Sequence, residues 1–450
     1  MKIVLLRRKR AKNGKIWYLL FGFLPIFAVR VKPRAGRFYL FGILPILKLS
    51  YGKPPAEAEQ AVRDDYYEML KSDIADKHVL LIEGQAYACH AEFLYGYAKY
   101  FLDMGRNVDI VLTPEHFERK PLSGFDLAGG RVRVFSIDLK TPAGRANLAG
   151  QLVNYELALL ATSNYTFVDF DFFYHVYAES MNKSNFYFIS HSFDEYKKSL
   201  SNPAWNAAKR EYYKEHALSA MPFAKDMRFL ACLDTFADAR HEELRRDGIT
   251  RFISVGGITR VNKDYDLLFD AIRALAAKGV RGFRVDIMGG GPTYLDEFDT
   301  HGCEPYVNFM ARVNYPEMYR RMRDADFLLP LLSEDKQKEY LDDRPTGSYN
   351  LSMMFLKPMV MNKTFAKEYG ISGGACVGYD GTGLAAAMES ACKISESSYV
   401  GMVGELAKTK AAHYSRGLDS TKLLLERRGG ARSDSPKFVQ RLTRKNPAAA

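Results

Sequence analysis

A strand, a glycine turn, a helix and a second strand follow one another between residues 251 and 291, and this pattern constrains the fold most. Residues 252–255 are a short apolar run rich in β-formers, which Gly256 and Gly257 end abruptly. Apolar residues then recur at helical spacing, and residues 283–288 form the next apolar run. Strand, helix and strand at this spacing predict a βαβ unit, and hence a parallel sheet.

The glycine turns of this unit are typical of phosphate sites. The first turn presents backbone N–H groups at a helix N-terminus, where unpaired amides and the helix dipole both attract an anion. Arg260 and Lys263 add two positive charges beside it, and the second strand closes on Gly290 and Gly291. The alternative is a tight turn in an ordinary parallel sheet, and residues further along the chain shift the balance towards phosphate.

Strands and helices alternate on both sides of this unit. Apolar runs between residues 79 and 189 alternate with helical patterns, and the alternation restarts at Phe252. The predicted fold class is α/β, with two doubly wound, Rossmann-like domains that face each other across a cleft. We predict four divisions of the chain. They are an N-terminal membrane-associating segment (residues 1–53), an acceptor domain (54–230), a nucleotide-sugar domain (250–395), and C-terminal helices with a basic tail (396–450).

Charge is distributed unevenly along the chain. The formal net charge is +11, but residues 1–53 contain 13 Lys or Arg and no acid, and residues 421–450 are also basic. The body between them is net acidic. A basic fringe on an acidic body favours an anionic membrane surface over nucleic acid, which calls for a basic stripe on the folded domain.

The N-terminal segment contains a repeat with a period of 20 residues. Leu-Phe-Gly at residues 20–22 and Leu-Pro-Ile at 24–26 recur at 40–42 and 44–46. The two apolar runs, 14 and 10 residues long, are shorter than the roughly 20 residues of a spanning helix. We expect a peripheral anchor on the cytoplasmic, inner face of the cell membrane, with apolar side chains in the interface and cations on anionic headgroups. A β-hairpin packed on the body is the alternative.

Four stretches of the second half resemble, in order and spacing, the C-terminal donor domain of GT-B glycosyltransferases of the group 1 type. They are VGGITRVNKDYDLLFDAI, VDIMGGGP, VNFMARV and ADFLLPLL, within residues 251–371. The resemblance implies a nucleotide-sugar donor whose diphosphate is held by the first glycine loop. Lys263, followed by DYDLL, matches the family's lysine, whereas Gly257 stands where the family has arginine, and Arg260 is the nearest stand-in.

The family also has a pair of glutamates after the fourth strand of this domain, and here the pair is absent. Thr346, Gly347 and Ser348 open a helix at this point instead. Hydroxyls and free amides at a helix start can hold phosphate, and this turn would be the second such turn at the same sheet edge. A simple N-cap is the alternative.

The implied chemistry is attack by an acceptor hydroxyl while the nucleotide diphosphate leaves the sugar. Lys263 would stabilise the charge that develops on the departing phosphate. An inverting reaction also needs a base, and His191, just past a first-domain strand, would face the cleft. A capped loop histidine is the alternative. Gly84 and His90 follow an earlier strand and match the acceptor-side loop in position only.

No cofactor is predicted, because the nucleotide sugar is itself the substrate. Asp169 and Asp171, in an Asp-Phe-Asp triplet after apolar residues, resemble the metal signature of the other glycosyltransferase fold, GT-A. Such short patterns arise by chance, so a polar strand end is preferred to a metal site. The five cysteines include no short pair, which argues against a disulfide framework or a zinc site and fits a reducing cytoplasm.

The predicted function is transfer of a sugar, by a hexosyltransferase-like enzyme, to a lipid-linked, lipopolysaccharide-type or capsule-type acceptor. The basic and apolar N-terminus supports a lipid acceptor, because an enzyme held at the bilayer meets membrane-tethered substrate more often. Two alternatives stay open. One is a sugar-nucleotide epimerase on the same fold, and the other is a non-catalytic, membrane-recruited scaffold with a degenerate nucleotide site.

Overall fold

The structure is a computed structural model in which the chain divides into two compact units, Met1–Ser72 and Asp73–Ala450. In the first unit it describes the course of the strand backbone. The residues that it describes are 6–10, 15–20, 24–32, 35–40, 44–50, 78–85, 93–123, 131–163, 169–179, 186–219, 228–229, 247–290, 298–311, 313–371 and 373–426.

A five-stranded antiparallel sheet with its strands in chain order forms the first unit. The strands are β1 (Leu6–Arg10), β2 (Lys15–Leu20), β3 (Leu24–Lys32), β4 (Ala35–Leu40) and β5 (Leu44–Ser50). The repeat is therefore a pair of hairpins, β2–β3 and β4–β5. Each copy has a register shift at its proline, where Leu19 pairs with Pro25 and Tyr39 pairs with Pro45. Proline has no N–H to give to a ladder, so an irregular pair suits it.

The first sheet of the second unit is parallel in every described pair, with the order β12-β11-β10-β9-β6-β7-β8. Its strands are β6 (His78–Glu83), β7 (Asn107–Leu112), β8 (Val132–Ser136), β9 (Leu157–Leu160), β10 (Phe186–Ser190), β11 (Ala217–Ser219) and β12 (Arg228–Phe229). The accompanying helices are α1 (Leu94–Asp103), α2 (Pro114–Glu118), α3 (Pro142–Gln151), α4 (Phe170–Glu179), α5 (Phe193–Leu200) and α6 (Ala207–His216).

The second sheet repeats this arrangement with the order β15-β14-β13-β16-β17-β18. Its strands are β13 (Thr250–Val255), β14 (Phe283–Met288), β15 (Val307–Met310), β16 (Phe327–Leu328), β17 (Met359–Asn362) and β18 (Cys376–Tyr379). Its helices are α7 (Tyr265–Ala277), α8 (Tyr315–Asp324), α9 (Glu339–Asp342), α10 (Gly347–Phe355), α11 (Lys363–Glu368), α12 (Leu384–Cys392) and α13 (Glu396–Glu426).

Both sheets place the first strand of their domain between the second and the fourth. This is the doubly wound order, in which ligands bind at the carboxyl ends of the strands where the order reverses. The reversal lies between β6 and β9 in the first sheet and between β13 and β16 in the second. The predicted fold class, α/β with two Rossmann-like domains, is confirmed.

The last helix, α13, joins the two domains. Tyr399, near its start, donates a hydrogen bond to the carbonyl of Asp326 in the second domain, at 2.8 Å. Further along, Gly417 passes so close to α1 that a Cβ there would lie 2.3 Å from the hydroxyl of Tyr100. Tyr414 stacks on the same ring, with centroids 5.2 Å apart. Of the helices that the structure describes, none combines the length and apolar character that crossing a bilayer requires.

Candidate functional site

Two glycine turns pack on each other at the carboxyl edge of the second sheet. Gly256 follows β13 with φ of +130°, a backbone region that favours glycine. Gly289 follows β14, and a Cβ there would lie 1.6 Å from the carbonyl oxygen of Gly256. Ile258 N also donates to the carbonyl of Gly290, at 3.2 Å. The two turns predicted as phosphate loops therefore form one close-packed edge, while Gly291 lies outside the described residues.

Lys263 brings the parts of this edge together. Its side chain is only 4% exposed. The ammonium donates to the carbonyl oxygen of Pro330, just past β16, at 2.9 Å, and to Ser348 Oγ at 3.1 Å. Within the described part of the chain both partners are neutral, and burial lowers the pKa of Lys263 to about 7. A buried cation held by neutral oxygens is destabilised until an anion joins it.

The Thr346–Ser348 turn lies directly against Lys263. Thr346 caps α10, since its Oγ1 accepts from Ser348 N at 3.3 Å, and its own N–H donates to the hydroxyl of Tyr369 at 2.9 Å. No atom lies within 4 Å of a Cβ built on Gly347, so the backbone there borders open space. The Thr346–Ser348 turn, which the sequence also predicted to bind phosphate, therefore lies beside the first glycine loop.

Arg260 points to a different set of partners. Its Nη2 lies 3.2 Å from Asp266 Oδ1, its side chain is 53% exposed, and its guanidinium sits 5.0 Å above the ring of Phe298. Gly257 is enclosed by the same loop, because a Cβ there would lie 2.5 Å from Asn262 Nδ2. Arg260 is therefore paired with a carboxylate in the first turn of α7, whereas the hydrogen bonds of Lys263 go to uncharged groups.

His191 lies just after β10 at the carboxyl edge of the first sheet, and it is 8% exposed. Its Nε2 is 2.9 Å from the carbonyl oxygen of Ala161, and its ring centroid is 5.8 Å from that of Phe93. A carbonyl oxygen only accepts hydrogen bonds, so Nε2 carries the proton. In the neutral ring, Nδ1 is then the nitrogen that can act as a base.

Glu83 is a buried carboxylate that no sequence motif marks. It ends β6 and is 0% exposed. Its Oε1 accepts from Gln85 N at 3.0 Å, and its Oε2 accepts from Thr162 Oγ1, just past β9, at 2.7 Å. The hydrogen bond between Thr162 and Glu83 thus joins the ends of β6 and β9, where the strand order of the first sheet reverses. Gly84 follows directly and is buried, while His90 lies outside the described residues.

Asp343 connects the two domains across the cleft. Its carboxylate accepts from Ser192 Oγ at 2.9 Å and from Asp194 N at 2.6 Å, and its carbonyl accepts from Phe193 N at 2.9 Å. Ser192 caps the first-domain helix α5, since its Oγ accepts from Glu195 N at 3.1 Å, and the second-domain carboxylate adds to this cap. This contact also holds the loop of His191 close to the segment that leads into α10.

Asp169 and Asp171 lie at the start of helix α4, not on the strand that the sequence predicted. Asp169 Oδ1 accepts from Phe172 N at 2.9 Å, which caps the helix. Asp171 pairs instead with the buried Lys209, at 2.5 Å. On a helix, residues two apart do not share a face, so the two carboxylates serve separate structural contacts. Among the described residues there is no group of three or more potential metal ligands.

The two doubly wound sheets form the two-domain architecture that the sequence predicted. No family model and no curated protein matches the chain. Among solved structures, the trehalose-6-phosphate synthase OtsA is 10% identical, with a TM-score of 0.49 over 78% of this chain and 99% of that one. HepE from Anabaena, in complex with UDP and glucose, is 13% identical, with a TM-score of 0.47 over 77% and 99%. These likenesses concern the path of the chain alone.

Proposed function

We propose that this chain is a glycosyltransferase that takes a sugar from a nucleotide-diphosphate sugar in its second domain. The observation that carries the proposal is Lys263, a buried cation whose hydrogen-bond partners, Pro330 and Ser348, are neutral. A diphosphate would supply the counter-charge and keep the amine protonated. The N-terminus of α10 and the glycine turns would add backbone amides and a favourable dipole on the same side.

The proposed chemistry uses charges that are fixed before the reaction starts. As the bond between the sugar and the diphosphate breaks, negative charge grows on the departing phosphate. The Lys263 ammonium and the α10 amides would stabilise that charge without reorganising. In an inverting reaction His191 Nδ1 would take the proton of the acceptor hydroxyl. In a retaining reaction the departing phosphate would take it.

The proposed acceptor is a lipid-linked saccharide of lipopolysaccharide or capsule type, met at the inner face of the cell membrane. Residues 1–53, with 13 basic residues and no acid, support this placement. Holding enzyme and tethered acceptor at one surface raises their effective concentration. Incubation of the labelled donor with a membrane lipid extract tests the acceptor, because label should enter the lipid phase.

The donor site is tested by calorimetric titration with nucleoside diphosphates. Lys263→Met should bind about tenfold to a hundredfold more weakly, the range for a lost charged hydrogen bond. Lys357→Met is the matched control, because Lys357 is also buried in this domain but donates to the carbonyl of Arg323, at 3.0 Å. Absence of binding by the unaltered protein would contradict the transferase and favour a scaffold. An epimerase would instead change the sugar configuration of the free donor.

A further inference from the structure

We infer that one face of the N-terminal sheet is a docking surface for anionic phospholipid headgroups, built on a row of four cations. Strand pairing places Lys15 opposite Arg30, Arg30 opposite Arg37, and Arg37 opposite Lys48. These positions run unbroken across the neighbouring strands β2 to β5. Directly opposite residues share a face, so all four belong to the same face of the sheet. We call this set the cationic row.

The next row on the same face holds aromatic residues. Trp17, two positions after Lys15, pairs with Ala28, and Ala28 pairs with Tyr39. Lys9 on β1 pairs with Trp17 and extends this row with a further cation. Trp and Tyr next to Lys and Arg are the residues enriched at the headgroup level of membranes.

The alternate positions of the same strands form a different face. Ile16 pairs with Val29, Val29 with Phe38, and Phe38 with Leu47. Because successive residues of a strand alternate between faces, this apolar row and the cationic row belong to opposite faces. Across β2 to β5, the basic positions therefore lie on the face opposite this apolar row, whereas the sequence alone suggested that both would meet one surface.

The charge of the cationic row favours a ligand that carries several negative charges in one plane. Like charges directly opposite each other destabilise a sheet, and neighbouring strands are only about 4.8 Å apart. The strands of this sheet contain no Asp or Glu that could offset the row from within the sheet. A plane of phosphate groups would neutralise all four cations together, and the aromatic positions beside them fit a bilayer interface better than a nucleic acid.

The inference rests on the proposed function only in that a lipid-linked acceptor would bring the enzyme to a bilayer. Its test is sedimentation of the full chain with vesicles of phosphatidylglycerol and phosphatidylcholine in equal parts. The double variant Arg30→Gln with Arg37→Gln should bind about thirtyfold more weakly, given the usual contribution of each cation near such a surface. Lys15→Gln with Lys48→Gln repeats the test at the ends of the row.

Arg8→Gln with Arg10→Gln is the matched control, because these arginines pair with Tyr18 and Ile16 and so belong to the apolar face. This control removes the same number of positive charges, and its affinity for the vesicles should fall only a few-fold. If the Arg30 and Arg37 variant and this control lost vesicle binding equally, or if neither lost any, the proposal that the cationic row binds headgroups would be wrong. Duplex DNA that binds as tightly as vesicles, and through Arg30 and Arg37, would overturn the choice of phospholipid.

Two further readouts keep the outcomes distinct. The chain has two tryptophans, so in a Trp205→Phe background the emission of Trp17 should shift to the blue on anionic vesicles. An unchanged emission would contradict contact through this face. Calorimetric titration of the Arg30 and Arg37 variant with nucleoside diphosphates checks the rest of the fold, because this variant should bind them as the unaltered protein does. Vesicle binding that depends on Arg30 and Arg37, in a protein that binds no nucleotide, would contradict the proposed function but support the docking surface.

Discussion

We expect Lys263 to make the candidate donor site sensitive to pH. Burial lowers the pKa of its ammonium from the ordinary 10.5 to about 7, so at pH 8 most of the empty site holds a neutral amine. An anionic ligand restores the charge, and binding should therefore take up close to one proton. We expect the affinity for a nucleoside diphosphate to fall about tenfold per pH unit above pH 8. Calorimetry in buffers with different ionisation enthalpies measures the uptake.

The same shift affects the stability of the empty protein. Because the folded-state pKa is depressed, the unfolded chain binds more protons between about pH 7 and 10.5, and stability should rise with pH across that window. Lys263→Met should remove both the proton uptake and this part of the pH dependence. Proton uptake that persists in Lys263→Met would assign it to another group.

Ser348 is the side chain through which α10 reaches the Lys263 ammonium. Ser348→Ala should weaken nucleoside diphosphate binding by about tenfold, since a hydrogen bond to a charged group is lost. Ser352→Ala removes a hydroxyl of the same helix that donates to the carbonyl of Lys357, at 2.7 Å, so it should leave affinity unchanged. Equal affinities for the two variants would show that Ser348 does not orient the ammonium.

At the scale of elements, the two glycine turns depend on a close backbone approach. Gly289→Ala would put a methyl group 1.6 Å from the Gly256 carbonyl, so β14 and the first turn must separate. We expect a stability loss of about 2 kcal/mol or more and loss of nucleotide binding. Gly404→Ala, in α13 with nothing within 4 Å of its Cβ, should raise stability slightly. Thermal unfolding compares the two variants, and unchanged binding by Gly289→Ala would contradict the turn's role.

Elements with a clear period were predictable, and isolated apolar runs were not. Strand β14 has the predicted bounds, Phe283–Met288, because glycine turns follow it and a helical pattern precedes it. Leu157–Leu160 is a buried strand that directly follows a helical segment, and the sequence does not mark where the helix ends and the strand begins. Four apolar residues without polar alternation fit either structure, and pairing with neighbouring strands decides between them.

The residues of the candidate site also differ in whether the sequence could predict them. Lys263 was predictable because the loop, the helix after it and the lysine are contiguous in sequence. Glu83 and Asp343 were not, since each gains its meaning from a partner distant along the chain. Asp343 bonds Ser192, 151 residues away, and only the assembled fold brings them together.

On the scale of the whole molecule, the second domain contacts the first at several separate places. At one of them, Tyr319 donates a hydrogen bond to the carbonyl of Pro121, at 2.6 Å, and Tyr315 N donates to the carbonyl of Arg119, at 3.1 Å. Helix α13 reaches α1 through Tyr414 and Gly417. Asp343 reaches the start of α5 beside the candidate site. Since Asp343 precedes the Thr346 turn by only three residues, any ligand that shifts this turn will also act on α5 and on the loop of His191. We therefore expect the two sides of the cleft to be mechanically coupled.

This coupling predicts an effect that crosses the domain boundary. Asp343→Ala, a change in the second domain, removes the carboxylate that accepts from Ser192 and Asp194 in the first. Ser192 remains as the N-cap residue, so losing the added carboxylate should cost no more than the roughly 1 kcal/mol of a full cap, and amide exchange in α5 should become up to about fivefold faster. Hydrogen exchange of the peptide Phe193–Leu200, read by mass spectrometry, measures it.

The matched control for this exchange is Asn314→Ala, which removes a cap within the second domain, where Asn314 accepts from Glu317 N at 3.0 Å. Its effect should stay in α8 and leave α5 unchanged. Nucleoside diphosphate should slow α5 exchange in the unaltered protein but not in Asp343→Ala, because the carboxylate is the link between the two segments. If nucleotide slowed α5 equally in both proteins, the coupling would have to run through α13 or through the contacts of Arg119 and Pro121 with α8 instead.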